Sequence, residues 1–227
     1  HRHFLNRFYS GQFQGSFSKG VPFQHNPDTG DMRICGSSAS LTGLEKAMES
    51  GDEAETELSI KRMQLLYGIA YSIGGIPLLY LGDEWGVLND YSYRDDPGKS
   101  YDSRWVHRPD LREGVKSDRV HKGVADRMTS FFKLMAGIRS EEPVFGNTDT
   151  SFPDQIDAHL FCFVRSNGAD KMLVIANFSE HVRNVNVEWI SDQIHSVRFK
   201  DLLSDNSRTD ASQLKIEPYQ LLWLKAV

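Results

Sequence analysis

Cysteine is scarce in this chain. Two residues in 227, Cys35 and Cys162, cannot build a disulfide framework. They read as two buried free thiols, with a single bridge between them as the alternative. No apolar run approaches the length of a membrane span, which predicts soluble material with no membrane partner. Basic excess is missing too. With 26 Lys and Arg against 31 Asp and Glu, the formal net charge is −5, which argues against a nucleic-acid partner. The eight histidines form no metal grouping, and no glycine-rich phosphate loop appears, so no metal and no cofactor are expected. An initiator methionine and a signal-peptide pattern are likewise lacking. The chain opens on His1 and reads as a piece of a longer protein, its compartment (cytoplasmic or secreted) left open.

What is present centres on Gly74 to Gly86, GGIPLLYLGDEWG. Ile76 to Leu81 is an apolar run too short for a globular helix and bounded by glycines. It predicts a strand buried on both faces, as in a parallel sheet, with a buried helix segment as the alternative. Pro77, which has no N–H to donate, belongs at the strand's start. The run then gives way to Gly82-Asp83-Glu84-Trp85-Gly86 and a long polar segment. A buried strand opening into a charged loop is how a (β/α)8 barrel presents chemistry at its C-terminal rim.

Around this stretch the patterns change in sequence. Residues 1–50 are irregular, with aromatics, arginines and glycines in no sustained period. Pro27-Asp28-Thr29-Gly30-Asp31 predicts a turn, and Ser40 to Glu49 a short helix. Ile60, Met63, Leu66 with Tyr67, Ala70 and Ile73 predict a helix over 57–73, capped by Thr56 and stopped by Gly74-Gly75. Val87 to about Asp118 is a polar loop. Val124, Met128, Phe131 with Phe132, Met135 and Ile138 predict a second helix over about 120–139. Short strands follow: 160–165 and 171–176 as a hairpin with a longer loop, then 182–189, 196–201 and 220–225. Strands after helices imply a separate all-β domain.

The motif G-x-P-x-x-Y-x-G-x-E is filled at each fixed position by Gly75, Pro77, Tyr80, Gly82 and Glu84. It resembles the late signature of the α-amylase clan, glycoside hydrolase family thirteen, where it forms the eighth barrel strand. Within the clan the chain resembles the amylosucrase family. The segments that carry this are RHFLNRF, GSFSKGVPFQHNPDTGDMRICG, GIPLLYLGDEWGVLND, KSYDSRWVHRP and EPYQLLWL. The resemblance implies an α/β plus all-β fold, the C-terminal part of a (β/α)8 barrel with an inserted subdomain and then a small antiparallel β-sandwich-like domain. Residues 1–50 look like the later part of the subdomain inserted after strand seven. Residues 51–149 look like helix seven, strand eight and helix eight, and 150–227 like the β domain. The implied activity is transfer of glucose from sucrose to an α-1,4-glucan with release of fructose. The implied partners are sucrose, α-glucan and the N-terminal remainder of the same barrel.

A retaining glycosidase needs two carboxylates roughly 5 Å apart across the scissile bond. By the resemblance, the nucleophile, the acid/base and a stabilising Asp would all precede His1. Asp83 and Glu84 are the obvious pair here, but neighbours at a strand end point to opposite sides. No catalytic carboxylate is assigned. The binding residues implied are five. Arg104, in Asp102-Ser103-Arg104-Trp105, matches the pocket arginine that, by the resemblance, pairs with an Asp upstream of His1 and closes the glucose site, against the plainer reading of a surface arginine stacked on Trp105. Arg33 and Gln24 match positions lining the fructose and acceptor side. Arg2 and Phe4 match an arginine and an aromatic that grip a longer glucan, where sugar faces pack on rings and hydroxyls suit guanidinium forks. For Phe4 the plainer reading is core packing, and for Gln24 a loop amide bonding its own turn. The rivals to the transferase are a sucrose hydrolase or other α-glucosidase of the same clan and, from another class, a non-catalytic carbohydrate-binding domain.

Overall fold

The computed structural model describes residues 1–108, 110, 120–146, 149–204, 206–208 and 212–227. The part of the polar loop at 109 and 111–119 lies outside the described residues. Helices and strands are mixed, and among the described residues no closed barrel forms. The chain divides into two compact units, one of 1–63 with 79–129, the other of 64–78 with 130–227.

The first unit begins with α1 (Arg2–Tyr9), which the irregular pattern of 1–50 concealed. A hairpin follows, β1 (Val21–Phe23) against β2 (Arg33–Cys35), with Val21 opposite Cys35 and Phe23 opposite Arg33. The short helix expected at 40–49 is two, α2 (Ser38–Leu41) and α3 (Leu44–Ser50), separated where Gly43 takes a φ of 108°. The first long helix, α4 (Glu53–Ser72), starts a turn earlier than its apolar period suggests. Asp52, not Thr56, caps it: the Asp52 carboxylate accepts from the backbone N–H of Glu55 at 2.9 Å, while the Thr56 hydroxyl donates to the Asp52 carbonyl. Asp52→Ala should therefore cost about 1 kcal/mol, measurable as a lower urea midpoint at unchanged slope. The buried face of α4 also differs in part. Ile60, Met63 and Leu65 are buried, whereas Leu66 is half exposed.

In the second unit the helical period of α5 (Lys122–Glu141) holds as read, with Met128, Phe132 and Met135 buried and only its first eight residues belonging to the other unit. Ring contacts of Phe132 with Tyr67 and Tyr71 join the latter halves of α4 and α5. Six antiparallel strands follow in the spatial order β3 (Thr150–Ser151), β4 (Leu160–Asn167), β5 (Asp170–Asn177), β10 (Leu221–Ala226), β7 (Phe199–Asp201), β8 (Asn206–Arg208). The β4–β5 turn is tighter than expected: Asn167 pairs with Asp170, and Gly168 takes the positive φ that a two-residue turn needs. The strand expected over 182–189 is instead β6 (Arg183–Asn186) followed by α6 (Val187–Ile194). Asn186 stops the strand and caps the helix, its side chain accepting from Glu188 N–H. Strand β6 pairs with β9 (Gln213–Ile216), and Val185, Leu214 and Ile216 share one apolar core with Leu173, Ile175, Leu222 and Leu224 of the larger sheet. Two sheets over one core make a sandwich-like unit.

The expectation for Ile76–Leu81 fails most plainly. The segment belongs to no strand and enters a turn at Leu81, and Ile76 and Leu78 are 89% and 84% exposed. Apolar composition marks it for a sheet, yet a strand needs hydrogen-bonding neighbours on both sides to be buried. None pairs with it among the described residues. Among those residues, no helix is long and apolar enough to cross a membrane.

Candidate functional site

Phe23, at the end of β1, is where three of the five expected binding residues meet, all within the first unit. Arg33 is its cross-strand partner, which puts both side chains on one face of the hairpin. Gln24 follows directly, exposed and with a left-handed φ of 51° where the strand breaks into the turn. That turn is built by Asn26, whose side-chain oxygen accepts from Asp28 and Thr29, and by Gly30 at a φ of 66°. Arg104 arrives from a distant loop, and its guanidinium lies 4.7 Å from the Phe23 ring centroid.

The geometry of Arg104 is set locally. Asp102 caps the 3-10 turn of residues 103–107, accepting from the Arg104 N–H at 3.0 Å. The same carboxylate takes a two-pronged grip on the side chain, from Nε at 2.9 Å and from Nη2 at 2.8 Å. Paired this way, the Asp102 carboxyl is held down at about 2, and the Arg104 guanidinium is pushed up. The Ser103 hydroxyl donates to the Pro22 carbonyl at 2.9 Å, which pins the turn to the hairpin. Beneath lies a small apolar cluster of Cys35, Tyr93 and Val106, with Val21, Phe23, Tyr91 and Trp105 packed on it. Burial raises the Cys35 thiol. Trp105 carries Lys99 and Arg108 near its ring rather than Arg104. The site is therefore a planar cation, fixed by its own carboxylate and backed by an aromatic ring, with Arg33 across the hairpin from that ring and Gln24 next to it in the chain.

Next along is His107, in the same turn. Its Nδ1 is buried without a partner among the described residues, and burial lowers its pKa, so the ring is neutral near pH 7. Tyr80 meets it edge-on, with centroids 5.8 Å apart.

Arg2 and Phe4 sit on α1. Arg2 pairs with Asp31 at 2.8 Å, and both line an open depression of about 510 Å3 with His3, Asn6, Thr29 and Gly30. Phe4 is 44% exposed and packs edge-on against Phe13 at 5.0 Å, which makes it both a packing residue and a surface one. Asp83 and Glu84 are both engaged in structural bonds, Asp83 to α2 and Glu84 to its own turn. Asp83 is buried and accepts from the Ser38 hydroxyl at 2.7 Å, and Glu84 accepts from the Gly82 N–H at 2.7 Å. No cluster of three or more His, Cys, Asp or Glu that could hold a metal occurs among the described residues. Phe23 and Asp102 were missed from sequence. For Asp102 a signal existed: Asp two residues before Arg, at a turn start, can cap the turn and hold the guanidinium at once.

No protein-family model matches the chain. Solved structures do resemble it in fold. A variant of AmyP in complex with maltotriose superposes with a TM-score of 0.62 at 14% identity, over 83% of this chain and 38% of that one. An Anoxybacillus α-amylase gives 0.52 at 16% identity, over 82% and 35%. The trehalulose synthase MutB of Pseudomonas mesoacidophila MX-45 gives 0.51 at 16% identity, over 73% and 38%. The likeness is one of fold, and the chain spans little more than a third of the length of each.

Proposed function

We propose, from a chain that has the fold of part of an α-amylase-type enzyme, that it is the substrate-binding C-terminal portion of a retaining glucosyltransferase. The parent protein would take glucose from sucrose, extend an α-1,4-glucan and release fructose. The observation that carries the reading is the Asp102–Arg104 pair over Phe23, flanked by Arg33 and Gln24. A rigid guanidinium with free edges donates to vicinal hydroxyls, and the half-buried Phe23 ring behind it holds its plane. Arg2 and Asp31, paired in an open depression beside the hairpin turn, suit a further sugar unit of a longer chain, with Phe4 exposed on the same helix. The nucleophile and acid/base carboxylates belong, on this reading, to the rest of the enzyme.

Two outcomes test it. The full-length protein incubated with sucrose should release fructose with incorporation of glucose into glucan; free glucose in place of glucan would make it a hydrolase, and no fructose at all would sink the proposal. Residues 1–227 alone should neither cleave sucrose nor build glucan. Turnover by a preparation cleared of host enzymes would place the catalytic carboxylates within this chain instead.

A further inference from the structure

Several segments of the first unit converge on one buried amide. Asn89 is 4% exposed. Its Oδ1 accepts from the Ser37 backbone N–H at 2.9 Å, and its Nδ2 donates to the Lys19 carbonyl at 2.7 Å and to the Tyr91 hydroxyl at 3.1 Å. Its own backbone N–H donates to Ser40 Oγ at 3.0 Å. The orientation of the amide is not a matter of choice. An N–H on one side requires an oxygen, and a carbonyl on the other requires an N–H.

The placement of these partners gives the amide its consequence. Lys19 lies two residues before β1 and Ser37 two residues after β2, so Asn89 ties both feet of the hairpin together. A second set of bonds repeats the tie, from Lys19 N–H to the Ser40 carbonyl and from the Ser37 hydroxyl to Ser40 Oγ, both at 3.0 Å. Asn89 is also where the loop bearing Arg104 departs. Asp90 N–H donates to the Val106 carbonyl at 2.7 Å, and Tyr91 packs in the cluster that includes Phe23, Trp105 and Val106. Hairpin and loop are thus registered on the same residue, which itself touches neither Arg104 nor Phe23.

We infer that Asn89 is a positioning residue: it holds the β1–β2 hairpin and the Arg104 loop in the one relation that sets Arg104 over Phe23 beside Arg33 and Gln24. The functional half of this rests on reading those residues as a sugar site. Asparagine is specific to the task. Aspartate has the same size but only acceptors, so at position 89 it would face the Lys19 carbonyl with no hydrogen to give. The Lys19 carbonyl would then be left unsatisfied in a buried place, while the Tyr91 hydroxyl can turn its own proton towards the carboxylate.

Cys35 supplies a readout independent of activity. It is the last residue of β2 and is buried in the cluster that the clasp closes. Cys162, in β4, is a control whose thiol is pushed up to about 12. In the full-length protein, labelling by an aromatic disulfide reagent at pH 8 is followed peptide by peptide, and binding of maltoheptaose by calorimetry. Asn89→Asp should speed Cys35 labelling about tenfold, leave Cys162 unchanged and weaken maltoheptaose about tenfold. Tyr91→Phe, which removes one hydroxyl and keeps the ring, should do the same about threefold with the fold intact. Parental Cys35 labelling in both variants overturns the inference. So does acceleration of both cysteines together, which marks global loosening, and so does a faster Cys35 with unchanged affinity. If the parent binds neither maltoheptaose nor sucrose, the sugar reading fails by itself, and the Cys35 arm still decides whether Asn89 holds hairpin and loop together.

Discussion

On the proposed reading, Arg104→Ala in the full-length protein should lower the rate on sucrose by about a hundredfold or more while leaving the melting temperature near that of the parent. The two halves of that result have separate causes. The Arg104 side chain is 46% exposed and its carboxylate partner 11% exposed, so the pair lies near the surface, where screening by water keeps its share of stability small. Function depends on geometry instead. Asp102 fixes the guanidinium plane and Phe23 backs it, so a sugar meets donors already aimed. Arg104→Lys rescues only in part, because an ammonium cannot take the fork from Asp102 and present a second edge together. The steady-state rate on sucrose for both variants, with melting curves, is the check. A folded Arg104→Ala enzyme with parental rates would remove Arg104 from the site.

The pH dependence has a definite sign. The Asp102 carboxyl titrates lower in the folded chain than the roughly 3.9 of a free side chain, mainly through its hydrogen bonds from Arg104. Its contribution is therefore complete above that unfolded value and is lost only as pH falls through about 2. Across neutral and mildly acidic pH the pair stays ionised. Any loss of activity between pH 5 and 7 has to come from another group.

Trp223→Ala is the largest stability loss expected anywhere in the chain. The side chain is fully buried in the middle of β10 and packs on Phe145 at 4.9 Å. Truncation costs about 3–5 kcal/mol and should lower the melting temperature of the β unit by more than about 10 °C. Trp223→Phe should be far milder. The indole N–H is buried without an acceptor among the described residues, so removing it also removes an unsatisfied polar group and offsets part of the lost packing. Thermal melts of the two variants separate these terms. Equal losses would mean that the N–H has a partner worth keeping.

Local patterns in the sequence reach far in this fold, and they stop where long-range pairing begins. Met128, Phe132 and Met135 repeat at helical spacing and are all buried, and Leu160 to Asn177 forms the hairpin that two apolar runs around residues 166–170 suggest, with a tighter turn. Val185 to Ile190 alternates as well, but Asn186 offers a cap, and the helix wins at Val187. At the site, resemblance drew attention to Arg104, Arg33 and Gln24, while composition said nothing of Phe23 beneath them. Asn89 was illegible altogether: one asparagine in a polar loop looks like any other until Lys19 and Ser37, 70 and 52 positions away, close on it.

The open segment at Ile76–Leu81 bears on the life of the chain in a cell. Six residues, five of them apolar or aromatic, pair with no described strand, and Ile76, Leu78 and Leu81 are mostly exposed. Holdase chaperones grip exposed apolar segments of this kind, because such a stretch fills a groove without first having to unfold. A chain released with this segment bare carries its own retention tag, and only a covering strand erases it. Quality control would then read the completeness of the sheet directly from one hexapeptide.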